Sequence, residues 1–224
     1  MTHARLSLAL GIALATASFA ALAQHPESID KINGAITATA SQTYGDLETV
    51  NGSIRIESNA KADDVETVNG SINASDNIRV RSLSTVNGSV KIGTQAQIDD
   101  GVETVNGSIF VDRGGNIGDD ISTVNGAIGL VDTDLGGGIE TVNGDVTVGI
   151  GSHVRGGIHV EKPGSSWIRM GKQKPPRIVI GPNAVVEGPM IFEREVVLYV
   201  HTSAKVGQIT GAKAIPFSTD TAPQ

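Results

Sequence analysis

The sequence predicts an all-β fold: a single-stranded parallel β-helix, or β-solenoid, with one three-sided coil for each 18-residue period. Three observations carry this expectation. The pair Asn-Gly recurs at Asn33, Asn51, Asn69, Asn87, Asn106, Asn125 and Asn143, at intervals of 18, 18, 18, 19, 19 and 18 residues. A fixed period in this range marks a chain that stacks repeated units. The word around the pair, ETVNGSI at 48–54, 66–72 and 103–109, is rich in β-branched residues and alternates apolar with polar, as strands do. Aromatics make up only 3% of the chain while glycines number 28, so the interior has to be a thin one filled by Val, Ile, Leu and Ala.

Residues 1–23 read as a secretory signal peptide. Arg5 supplies the positive start, Leu6 to Leu22 is mostly apolar, and Ala21-Leu22-Ala23 fits the small-x-small cleavage rule, leaving Gln24 as the mature start. The expected location is therefore the periplasm or the cell surface, with no membrane span after cleavage. An exported chain without cysteine relies on backbone pairing and packing instead of disulfides.

Residues 24–158 hold the repeat coils. Each unit divides into about three short extended segments separated by corners, and coiling places like on like, with backbone groups pairing between coils. Val50, Ile54 and Ile56 share one parity across Gly52, and Val68, Ile72 and Ala74, then Val86, Val90 and Ile92, then Val105, Ile109 and Val111 fill the same columns. These columns are expected to face inward. A later column, Leu47, Val65, Leu83, Val102, Ile121, Ile139 and Ile158, is apolar too. The 19-residue units carry their extra residue late, around Gly101, Gly118 and Gly156, where a corner absorbs it. A run of β-hairpins is the rival reading of Asn-Gly, but a strict period favours coiling. The seven asparagines are expected to stack as an amide ladder.

Residues 159–177 read as a protruding basic loop with the only tryptophan, and Trp167, Arg169, Lys172 and Lys174 are its candidate interaction residues. Residues 178–215 read as two degenerate coils, in which Ile180 aligns with Val200 and Val186 with Val206. Residues 216–224 read as a disordered tail. Nine coils would make a rod about 40 Å long.

The repeat word after a signal peptide resembles a bacterial β-solenoid family of candidate adhesins. The segment IVIGPNAVVEGPMIFEREVVLYVHTSAKVGQITGA is more distantly similar to the bactofilins, polymer-forming β-helical proteins. The resemblance covers about residues 30–212. It implies a right-handed coil and a structural or adhesive role at the envelope, with no catalytic residues to carry over.

The remaining residues narrow the chemistry. The net charge of −7, near −8 without the signal, argues against nucleic acid, which needs cationic side chains to replace counterions. Asp63-Asp64, Asp99-Asp100 and Asp119-Asp120 share a corner, which raises a carbohydrate-binding or polysaccharide-degrading alternative and, for calcium, only an incomplete pattern. His153 and His159 are two, too few for a metal site. The column Thr49, Thr67, Thr85, Thr104, Thr123 and Thr141 would form a flat ice- or surface-binding grid if it faced out. No nucleophile motif, phosphate loop or cofactor motif is present. The expectation is a non-enzymatic protein without cofactor or metal, whose partners are itself, end to end or edge to edge, or an envelope glycan or protein.

Overall fold

The structure is a computed structural model that describes residues 26–163 and 174–223. The expected signal segment and Trp167, Arg169 and Lys172 lie outside the described residues.

The chain winds as a parallel β-solenoid. Three sheets run along its axis, two of ten strands and one of seven, and every strand pairs in parallel with its counterpart one turn away. Parallel pairing throughout excludes the hairpin reading. Among the described residues there is no helix. The first sheet begins with Glu27–Asn33, Tyr44–Asn51 and Asp64–Asn69, the second with Ile36–Ala38 and Ile54–Ile56, and the third with Arg79–Val80 and Gln97–Ile98. The turns number about ten instead of nine, because Ala214–Phe217 adds a strand after the second degenerate coil, paired with Val197–His201. Nine intervals between ten strands of the first sheet, at about 4.8 Å each, give a rod of roughly 43 Å.

Register follows the sequence columns. Leu47, Val65, Leu83, Val102, Ile121, Ile139 and Ile158 pile up in the interior, as do Ile54, Ile72, Val90 and Ile109. Ile180 pairs with Val200 and Val186 with Val206, as the 20-residue alignment requires. The extra residue of the longer coils sits between Ile98 and Val102 and between Ile117 and Ile121, at the Gly101 and Gly118 corners. Each fully buried Val, Leu or Ile contributes about 1.5–3 kcal/mol. No coil closes its core alone, so stability is a sum over neighbouring turns.

One expected column is reversed. Val50, Val68, Val86 and Val105 stack in register but face solvent, while Thr49, Thr67, Thr85 and Thr104 face the interior. The inward series is therefore Leu47, Thr49, Ile54 and Ile56, and parity changes across the Asn-Gly corner. The cause is the corner itself. Its bend turns the Gly carbonyl inward, and the next coil answers with a hydroxyl: Thr67 Oγ1 donates to the Gly52 carbonyl at 2.8 Å, Thr85 to Gly70 at 2.9 Å, Thr104 to Gly88 at 3.0 Å and Thr123 to Gly107 at 3.0 Å. A buried carbonyl needs such a donor, and a valine here would supply none. The Thr grid is thus internal, which removes the premise of the ice-binding alternative.

The corner between the second and third sheets carries a second column. Ser41, Asn59, Asn77, Gln95, Gly114, Asp132, Gly151 and Asn183 all adopt positive φ, between 45° and 73°. Left-handed backbone costs a non-Gly residue roughly 1–2 kcal/mol, less for Asn. Gln95 (φ 56°) is the least suited of these side chains. Gln95→Gly is expected to raise stability by up to about 1 kcal/mol, measured by denaturant titration.

The basic loop replaces one Asn-Gly corner. Val160 to Ile178 spans 18 positions where the equivalent Thr141 to Val146 spans five, and the register is kept on both sides of the insertion. The last strand, Ala214–Phe217, crosses the boundary drawn at 215. Phe217 is buried and meets His201 edge-on at a centroid distance of 5.0 Å, closing part of the terminal turn.

Candidate functional site

The outer face of the first sheet presents two rows along the axis. One row runs Asp30, Glu48, Glu66, Ser84, Glu103, Ser122, Glu140 and His159, each in register with the next. The other runs Ile32, Val50, Val68, Val86, Val105, Val124 and Val142, two residues further along each strand. Ile32 through Val105 form an exposed aliphatic ridge. Between the rows lie two consecutive depressions, of 390 Å³ over Asp30 to Val86 and 320 Å³ over Ser84 to Val142. They share Ser84 and Val86, so together they form one axial groove with an acidic wall and an apolar wall.

Alternation places these side chains outward, because Thr and the Leu47 column occupy the inward positions of the same strands. No basic side chain forms an ion pair with Glu48, Glu66, Glu103 or Glu140 among the described residues. Glu48 feels the crowding: desolvation against the sheet pushes its carboxyl above the ordinary range, and Asp30, Glu66, Asp46 and Asp64 push the same way. A raised carboxyl contributes stability that is present below its ordinary pKa and lost as pH rises through the raised one. Glu48→Gln is therefore expected to raise the melting temperature slightly at neutral pH. The gain should vanish once the medium is acidic enough to protonate Glu48 in both folded and unfolded chains.

The amide ladder flanks the ridge. Asn51 Nδ2 donates to Asn33 Oδ1 at 3.1 Å, and the pattern continues through Asn69, Asn87, Asn106, Asn125 and Asn143 at 2.9–3.1 Å. Every amide points the same way, with oxygen toward the C-terminal end. There Arg194 donates to Asn143 Oδ1 and to the Val142 carbonyl. A charged donor on the last acceptor of a polarised chain is a strong bond. Arg194→Ala is expected to cost about 1.5–3 kcal/mol, with the loss of hydrogen-exchange protection centred on 141–146.

The other candidates are dispersed or already engaged. Arg79 pairs with Asp99 at 3.2 Å, Arg81 pairs with Asp64, and Asp120 accepts the Gly138 N–H. His153 lies on the third sheet against Glu187 at 2.7 Å, and His159 on the first against Glu193 at 3.1 Å. The Glu193 carboxyl is held below the ordinary range by the Lys162 backbone N–H and by His159. Lys174 is exposed and, with Arg177, Ile150, Val179 and Phe217, lines a 620 Å³ apolar cavity beneath residues 220–222. Arg177 stacks over Tyr199 at 5.2 Å and donates to the Pro223 carbonyl at 2.8 Å.

No family model, curated protein or solved structure matches the chain. Sequence reasoning missed the groove because the Val row had been placed inside. The signal available was the residue three positions before each repeat Asn, which is acidic at Asp30, Glu48, Glu66, Glu103 and Glu140.

Proposed function

We propose that this chain is an exported, non-catalytic β-solenoid of the bacterial cell envelope, structural or adhesive, that offers a rigid repeated surface and self-assembles. In this reading the coil is three-sided and right-handed, and residues 1–23 form a signal helix cleaved after Ala23. The single observation that carries the reading is the groove of the first sheet, in which the same two rows repeat in register over seven coils. Repetition on a stiff frame suits multivalent contact, where many weak contacts add without further ordering cost. The resemblance of the ETVNGSI repeats to candidate adhesins supports the same reading.

The test is fractionation of the native host, followed by mass determination of the recovered chain. The expected result is a product beginning at Gln24 in the periplasmic or surface fraction. Recovery of the full-length chain in the cytoplasm would overturn export. Light scattering at rising concentration tests assembly, for which particles of constant monomeric mass would be contrary.

A further inference from the structure

We propose that the axial groove binds a linear cationic peptide in the polyproline II conformation, with a Lys or Arg at every third residue. The proposal rests on the reading of this face as a contact surface, and it is independent of export.

The argument is one of period, width and charge. Asp30, Glu66, Glu103 and Glu140 stand on alternate turns, with Ser84 and Ser122 between the later ones and Glu48 as the single additional acid. Alternate turns are about 9.6 Å apart. A polyproline II helix repeats every three residues, roughly 9.3 Å. Cations on one of its edges would stay within about 1 Å of the acids over the whole row. An extended strand offers same-side cations about 6.7 Å apart, which fall out of step at once.

Width gives the same answer. The two walls are two residues apart along each strand, about 6.7 Å, too close for an α-helix of about 10–12 Å diameter to enter. A polyproline helix is slimmer, and its backbone carries no internal hydrogen bonds that docking would disturb. Its pyrrolidine rings would lie on Val50, Val68, Val86 and Val105, whose exposed methyls are otherwise left to water. Lys31, the one cation lining the groove among the described residues, donates to the Ala35 carbonyl at 2.7 Å, so the acidic wall keeps its sign.

The test uses the purified chain and two synthetic peptides of identical composition. One has four Lys-Pro-Pro units; the other has its four lysines in one block followed by its prolines. The periodic peptide is expected to bind roughly tenfold tighter than the block peptide, and to weaken with salt. The triple variant E66Q/E103Q/E140Q is expected to lose that advantage, as is Val86→Lys, which obstructs the ridge; thermal melts check that both remain folded. Equal affinity for the two peptides, no binding of either, or an unchanged preference in both variants would overturn the proposal. None of these outcomes bears on where the protein resides.

Discussion

Gly107→Ala is expected to break the solenoid near its middle. A Cβ on Gly107 would stand 1.8 Å from the Gly88 carbonyl oxygen, and the same approach recurs at Gly52, Gly70, Gly88, Gly126 and Gly144, at 1.9–2.2 Å. The obstacle is backbone, not a side chain that can swing away. Two turns held by hydrogen bonds on either side of the corner would have to part. The expected loss exceeds about 4 kcal/mol, the range reached only through severe strain, overpacking or an unpaired buried group. Because each turn is supported only by its neighbours, hydrogen exchange should show the damage centred on coils four and five. Gly129→Ala is the matched control. Its Cβ would lie 3.4 Å from Phe110 Cδ2, an ordinary contact, and the expected change is within about 0.5 kcal/mol. Equal effects of the two substitutions in denaturant titration would contradict the stacking described.

Thr85→Val should cost about 1–3 kcal/mol despite its nearly unchanged volume. The hydroxyl satisfies the Gly70 carbonyl at 2.9 Å, and a valine leaves that carbonyl facing an aliphatic interior. Thr141 provides the contrast, since it is equally buried but its Oγ1 has no partner. Thr141→Val is expected to be neutral or stabilising, because it removes a hydroxyl that is desolvated without compensation. The opposite signs at two positions of one column are the useful result. If both substitutions destabilise alike, side-chain shape rather than the carbonyl bond governs the column.

Much of the fold was legible because a solenoid writes its period into the chain. Seven Asn-Gly pairs set the coil length, and the Leu47-to-Ile158 column set one wall of the core. The C-terminal register could be aligned even without the repeat word, through Ile180 with Val200. What failed was the parity around Gly52. Simple alternation assumes an extended chain, and the Asn-Gly corner is a bend, so Val50 and Thr49 exchanged sides. Composition gave no warning, as Val and Thr are nearly isosteric and both favour strands. The left-handed corner column was hidden because Ser, Asn, Gln, Asp and Gly all occupy it. The Arg194 cap was out of reach for a different reason: it lies 51 residues from Asn143, and only the winding of the chain brings them together. The groove became visible once the Val row was turned outward.

The central claim is that the chain bends at each Asn-Gly pair so that Thr points in and Val points out. The absence of native cysteine makes single-cysteine labelling the most direct measurement. Thr85 is 2% exposed and its neighbour Val86 39%. In the folded protein, Val86→Cys should react with a maleimide at nearly the rate of the unfolded chain, while Thr85→Cys should be strongly protected until denaturant is added. Rapid labelling at position 85 with protection at position 86 would contradict the account.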